Sequence, residues 1–399
     1  MSNKLRLVVL GMMGRCPFGG QTWLYLNWLC GLRGLGHEVW YVEDDLVWPY
    51  DPKRNAVTSD CSYAVRHIAS CMKRIGLSDR WAFRLPDPRL GDSADTCWGM
   101  SVRELGDLYR SCDLLLNVVG ATDFRYGHLA LTAPFRVYVE TDPVYAELRL
   151  ANGDEEKRIA FDHHHIIATY GENYGATGCG VPLNGLEAKY RKTRQPIDLK
   201  RWPMVYDPNA RFFTTIGNYR QSGSDVEYNG EVYRWSKHYE WEKFLDLPRQ
   251  TSQLFELALM TQDPTDRDLL RAHGWRLVSP VPMSLDTFGD YPAYFRRSRA
   301  EFTVAKDQNV RLRSGWFSER DICYLACGKP VVAQDTGFSD ILPTGEGLFA
   351  FTTTDEALAA IDIINADYRR HCEAARSIAE EYFEARSVAA RLLADLGLT

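Results

Sequence analysis

An almost wholly apolar run, LRLVVL at residues 5–10, leads at once into a glycine-rich turn (GMMGRCPFGG), a helical stretch over residues 22–35 and a second apolar run over residues 38–42. Continuous apolar runs of this length, too short for helices and bounded by glycine, read as strands buried on both faces, the pattern of a parallel sheet covered by helices. The unit recurs. Strand-like runs at 114–119 (LLLNVV), 135–140 (FRVYVE) and 165–169 (HIIAT) alternate with helical patterns over 63–75 and 101–111. Such alternation predicts a doubly wound α/β domain.

Between residues 185 and 210 the pattern gives way to polar, basic and proline-containing sequence, and it then restarts. A strand over 212–216 (FFTTI) ends at Gly217; a helix over 266–272 and a strand over 275–278 follow. Helices over 291–298, 318–326 and 355–364 then alternate with strands over 301–305, 331–333 and 348–351. From residue 367 the chain is periodic and rich in Ala, Glu and Arg, hence helical. A chain of 399 residues exceeds what one hydrophobic core organises. The expectation is therefore α/β: two Rossmann-like doubly wound domains, 1–205 and 206–375, facing across a cleft, with a C-terminal helix over 376–399 packing back on the first domain.

Hydrophobic residues at 45% and charged ones at 25% exclude a disordered or fibrous chain. The balance of 47 Lys and Arg against 53 Asp and Glu, a net charge of −6 with the basic residues dispersed, argues against a nucleic-acid surface. The ten cysteines include no CxxC pair and read as reduced thiols. The first apolar run is too short for a signal segment, and no stretch approaches the ~20 apolar residues of a membrane span. Together these features predict a cytoplasmic location with no transmembrane segment.

The densest chemistry lies between Lys306 and Phe351: KDQNVRLRSGWFSERDICYLACGKPVVAQDTGFSDILPTGEGLFAF. A strand ends at Lys306, and a loop carrying Arg311, Arg313, Ser314 and Gly315 feeds a helix starting at Ser318 and Glu319. Backbone N–H groups at a helix start together with two arginines form an anion site suited to a diphosphate. Alternatively, Ser318 is only an N-cap and the arginines are solvated. After the next strand, the turn Gln334–Asp335–Thr336–Gly337, with Asp340 beyond it, presents polar groups able to read a sugar or ribose.

ACGKPVV followed by GFSDILPTGEGLFAF resembles the C-terminal nucleotide-sugar site of GT-B glycosyltransferases, and SGWFS resembles the phosphate-binding helix start of their inverting members. FGGQTWLYLNWLCGLRGLGHEVWYVE in the first half is similar to their N-terminal domains. The resemblance implies a nucleoside-diphosphate sugar as co-substrate, bound mainly by the second domain, and an acceptor bound mainly by the first. It implies transfer of a hexosyl group to an acceptor hydroxyl without a metal or other cofactor; the acceptor is a small molecule, lipid or glycan. It also places Gly217, Arg220 and Lys237 against the diphosphate. Two departures stand out. The paired glutamates of retaining members fall on Gly315 and Cys323, and the first loop holds no histidine to serve as base.

Carboxylates that follow apolar strands of the first domain are then the candidate bases: Asp142, Glu140 and Asp123. Each is equally an ordinary loop acid. Gly19, Gly20 and His163 are assigned to the acceptor side. Three adjacent histidines, His163 to His165, point in alternating directions and make a poor metal site, and Glu43–Asp44–Asp45 is likewise not read as one. Two other readings stay open: a sugar-nucleotide-binding protein without turnover, and a sugar-nucleotide epimerase on the same fold. A dehydrogenase is disfavoured because the first turn lacks GxGxxG.

Overall fold

In the computed structural model, residues 4–85, 96–124, 127–221, 223 and 225–398 are described. The first sheet contains β1 (Arg6–Leu10), β2 (Glu38–Asp44), β3 (Trp81–Arg84), β4 (Cys97–Trp98), β5 (Leu114–Val118), β6 (Arg136–Glu140), β7 (Ile166–Thr169) and β8 (Tyr190–Lys192). Their spatial order is β8-β7-β6-β5-β1-β2-β3-β4. Pairing is parallel throughout except between β3 and β4. The order reverses beside β1, where successive crossovers diverge to opposite sides, and a crevice opens there at the carboxyl ends of the strands.

The second sheet contains β9 (Phe212–Asn218), β10 (Leu254–Met260), β11 (Arg276–Leu277), β12 (Ala300–Thr303), β13 (Val331–Gln334) and β14 (Leu348–Phe351), in the order β11-β10-β9-β12-β13-β14 and wholly parallel. Several elements depart from the sequence-based expectation, strand β8 within the polar stretch 185–210 among them. The first helix begins at Gly19 rather than residue 22 and spans Gly19–Gly34. The segment expected as a loop through Arg311 contains a helix, Asp307–Leu312. Strand β10 was not anticipated, although LFELALM is apolar except at Glu256. That carboxylate is buried and holds Arg297 at 2.6 Å and Arg276 at 3.2 Å, so a charge interrupts the apolar run without leaving the sheet interior unpaired. Strand β3 likewise carries no separate signal in the sequence pattern.

The domains share a continuous apolar seam. Trp23 lies edge-on to Trp202 at 5.1 Å and to Phe288 at 5.4 Å, and its indole N–H donates to the Thr287 carbonyl at 2.7 Å. Gly19 sits under Tyr291 so closely that a Cβ there would lie 2.5 Å from the ring. The last helix, Ala385–Asp395, lies on the Gly19–Gly34 helix, where a Cβ on Gly31 would meet the Ala385 carbonyl oxygen at 2.4 Å. On the other side of the cleft, Asn173 donates its amide N–H to the carbonyls of Arg313 at 3.2 Å and Gly337 at 2.9 Å. No helix among the described residues is long and apolar enough to cross a membrane.

Candidate active site

A cavity of about 570 Å³ lies between the two sheets, and its walls come from the carboxyl ends of strands in both domains. Thr141 and Asp142 follow β6; Gly217 and Asn218 end β9; Met260 ends β10; Lys306 follows β12. Parallel strands entering from two domains point their carboxyl ends at a shared space, so the loops after them converge on it.

Within the first domain, the glycine-rich turn after β1 is pinned by a buried ion network. Arg15, 4% exposed, reaches Glu43 at 3.3 Å and Asp45 at 3.0 Å. It also donates to the carbonyls of Gly11 at 3.0 Å and Ala121 at 2.7 Å, joining the ends of β1, β2 and β5. Glu43 accepts in addition from Tyr41 at 2.7 Å, and burial pushes its carboxyl above the ordinary range. Asp44 pairs with Arg84 at 3.0 Å and accepts from Tyr109 at 3.0 Å, so the acidic triplet serves the fold. The pinned turn presents Cys16, Phe18 and Gly20 to the cavity.

From the second domain come two lysines. Lys306, with a side chain 7% exposed, pairs with Asp142 across the cleft and lies 3.0 Å from the centre of the Trp235 ring. Burial draws its pKa down, and the Asp142 carboxylate opposes that shift. Lys237 makes no ion pair among the described residues and lies 5.4 Å from the Trp316 ring. Burial, reinforced by Arg320 and Lys306, lowers it to about 7. Beside these, Ser318 caps the Glu319–Ala326 helix by accepting from the Arg320 N–H at 3.2 Å. Ser318, Glu319 and Arg320 all line the cavity. Burial raises the Glu319 carboxyl to about 8, helped by Asp142 and Asp321. Arg320 is consumed by its own domain: it bonds Glu301 at 2.6 Å, Thr303 at 2.6 Å and the Ile216 carbonyl at 3.1 Å.

Of the residues singled out from sequence, Asp142, Gly20, Gly217, Lys237, Lys306, Ser318 and Glu319 line this cavity. Several others do not. Arg220 is held by Asp266 through two 2.8 Å bonds and by His238 at 2.7 Å. Arg311, on the Asp307–Leu312 helix, turns outward to Glu231, to the Val232 carbonyl at 2.9 Å and to the Tyr233 ring at 4.2 Å. Arg313 has left-handed backbone and pairs with Asp340 at 2.8 Å and Asp335 at 3.5 Å.

Ser314 is buried and donates to Asn309 at 2.6 Å, while Gly315 packs on the Asn173 backbone. This stretch and Gly337 therefore build the seam between domains. Asp335 accepts from the N–H groups of Gly337 at 2.9 Å and Ser339 at 3.3 Å, which fixes the turn. Gln334 donates to Glu240 at 2.6 Å, and the Thr336 hydroxyl donates to the Trp316 carbonyl. Gln334 and Thr336 line a separate void of about 10 Å³, room for little more than a water. Glu140, the last residue of β6, is buried and accepts from Thr169 at 2.8 Å. Gly19 lies in the apolar seam under Tyr291, and Asp123 does not line the cavity. His163 ends the Glu155–Asp162 helix, where its carbonyl accepts from Arg136 at 2.8 Å.

Residues not anticipated include Cys16, Gln21, Trp316 and Arg320. Trp316 donates its indole N–H to the Thr141 carbonyl at 2.9 Å and so ties the helix-start loop to the opposite domain. Arg320 follows directly on the expected helix start at Ser318 and Glu319, and that adjacency was a usable signal.

No protein-family model matches the sequence, and no curated protein matches it. Solved structures do. HepE of Anabaena, in complex with UDP-glucose, superposes with a TM-score of 0.60 at 14% identity, covering 99% of this chain and 100% of that one. Sucrose-phosphate synthase of Thermosynechococcus elongatus gives 0.54 at 11% identity, with 98% of each chain covered. An α-glucosyltransferase in complex with UDP and a 13-mer DNA gives 0.56 at 11% identity, with 99% of each covered. Likeness over whole chains at such low identity is a likeness of fold, and it agrees with the two parallel sheets facing one cleft: the chain has the GT-B fold of glycosyltransferases.

Proposed function

We propose that the protein is a glycosyltransferase that moves a hexosyl group from a nucleoside-diphosphate sugar to an acceptor hydroxyl. One observation carries this reading: Asp142 of the first domain lines a single cavity together with Lys237, Lys306 and the Glu319–Ala326 helix start of the second. The helix start and the two ammonium groups meet the charge that develops on a departing diphosphate. Asp142 accepts the acceptor's proton as the new bond forms between the acceptor oxygen and the anomeric carbon. The bond from that carbon to the diphosphate oxygen breaks, and its electron pair leaves on the diphosphate. Lysines supply the countercharge in this scheme, which is why we propose metal-independent transfer.

The donor domain takes the second sheet and the acceptor the first. HepE is described in complex with UDP-glucose, which makes a UDP-hexose the first donor to try. None of the ten cysteines is joined in a disulfide, which suits a reducing cytoplasm.

The test is a thermal-shift series with UDP, GDP, TDP and ADP, with and without EDTA, followed by nucleotide release from the matching sugar nucleotide in the presence of an acceptor panel. Asp142→Asn should keep the nucleotide-induced shift and lose turnover. A nucleotide-induced shift without turnover in the wild-type protein favours a binding protein instead, and full turnover in Asp142→Asn removes Asp142 from the reaction.

A further inference from the structure

Two residues after Asp142 the backbone does something a β-branched residue rarely does. Val144 has φ 87° and ψ −48°, near the positive-φ γ-turn at about φ +75° and ψ −65°. For a side chain branched at Cβ this is a strained state, held only where the surroundings over-determine it. The surroundings here are specific. The Val144 N–H is shared between the Glu147 carboxylate at 2.9 Å and the Tyr174 hydroxyl at 2.8 Å. Glu147 is fully buried, and its other oxygen accepts from the Tyr190 hydroxyl at 2.7 Å. Behind it lies Glu140, whose carboxyl is driven well above the usual range by burial and by Glu147 itself.

An ordinary helix start does not need this arrangement. Valine has no side-chain acceptor, so the Tyr145–Ala151 helix has only the Glu147 half of a capping box, and a γ-turn is not the usual backbone before a helix. The turn redirects the chain immediately after Asp142. Meanwhile the opposite domain grips the same loop on both sides of the turn: Trp316 bonds the Thr141 carbonyl, Lys306 pairs with Asp142, and Trp235 packs edge-on against Tyr145 at 5.0 Å.

We propose that Glu147, with Tyr174, is a positioning residue that holds Val144 in its strained turn and thereby aims the Asp142 carboxylate into the cavity. The inference rests on the reading of Asp142 as the base, and it is tested separately from that reading. Nucleotide release from the sugar nucleotide that the wild-type protein accepts is measured for Glu147→Ala, Glu147→Gln, Tyr174→Phe and Asp142→Asn, alongside the UDP-induced thermal shift. Losing one acceptor of a buried N–H should lower kcat about tenfold in Glu147→Ala and about threefold in Tyr174→Phe, leaving the nucleotide shift intact. Glu147→Gln keeps a carbonyl acceptor and should recover most of the loss.

A second readout needs no turnover. Asp142→Asn and Lys306→Met should be non-additive in Tm in the wild-type background and additive once Glu147 is Ala, because an unaimed Asp142 no longer meets Lys306. Persistence of the coupling in Glu147→Ala overturns the proposal, as does a wild-type kcat in folded Glu147→Ala. A loss in Glu147→Ala with none in Asp142→Asn also overturns it, since the effect then does not run through Asp142. If Glu147→Ala does not fold, Tyr174→Phe decides, with kcat and the coupling read in the same way. If the wild-type protein releases nucleotide from no sugar donor, the transferase reading falls and the Tm coupling alone decides the positioning role.

Discussion

Lys306, just after a strand of the second domain, pairs its ammonium with the carboxylate of Asp142, just after a strand of the first, and the pair faces the cavity both domains build. The contact joins the group proposed to take a proton to a group proposed to face the diphosphate. It also sets apart the cations that line the cleft from those that do not.

Lys237→Met and Lys306→Met should each weaken UDP binding by about ten- to a hundredfold, the range of a hydrogen bond to a charged group. Arg311→Ala and Arg313→Ala should leave it within about threefold, because their guanidiniums are engaged with Glu231 and with Asp340, away from the cavity. Isothermal titration with UDP separates the two pairs; equal losses in both would place the diphosphate on the arginine loop.

Donor binding should weaken as pH rises from about 6.5 to 9. Lys237, lowered to about 7 by burial, loses its charge over this range, and Glu319, raised to about 8 by burial, gains one. Both changes disfavour an anion. A UDP-sugar is the suitable probe, since its diphosphate does not titrate here, and Lys237→Met combined with Glu319→Gln should flatten the profile.

Glu319 also gives stability a pH slope of defined sign. Its folded pKa lies above the unfolded value of 4.5, so the unfolded chain holds fewer protons between those values and stability falls as pH rises through about 8. Glu319→Gln should raise Tm above pH 8 and leave it nearly unchanged at pH 4.5. Differential scanning at the two pH values reads this directly, and a parallel fall in the variant would assign the slope to other groups.

Gly19→Ala should act as a wedge between the domains. Its Cβ would stand 2.5 Å from the Tyr291 ring, and overpacking of this kind costs about 1–3 kcal/mol. The expected result is a lower Tm and a weaker UDP-induced shift, because Gly20 and Tyr291 both line the cavity. An unchanged Tm would show that the seam yields freely.

Glu43→Gln should be more damaging than its distance from the reacting groups suggests. It leaves Arg15, 4% exposed, with Asp45 as its one counterion among the described residues. Breaking a buried pair costs roughly 3–5 kcal/mol. Chemical denaturation would show the loss, and Glu43→Gln with Arg15→Met should recover part of it.

Much of this protein was legible in one dimension. Short apolar runs between glycine turns determine parallel strands, since a strand covered on both faces has no polar side to show, and the two sheets followed from counting such runs. LFELALM escaped because a charged residue broke its apolar run, and only the fold brings Arg297 and Arg276 to Glu256. Strand ends also marked Asp142, Gly217 and Lys306, because the carboxyl ends of parallel strands face the crevice whatever the rest of the chain does.

Tertiary structure decided which charges are available. Arg220, Arg311 and Arg313 look alike in sequence to any cation that follows a strand or precedes a helix, yet each finds a carboxylate brought from elsewhere in the chain. Lys237 looks no different and finds none among the described residues. Local sequence sets where a side chain begins, through strand and helix periods that depend on near neighbours. Its partner is set by packing between distant segments, 164 residues apart for Lys306 and Asp142, and that choice exists only once the two domains have closed on one another.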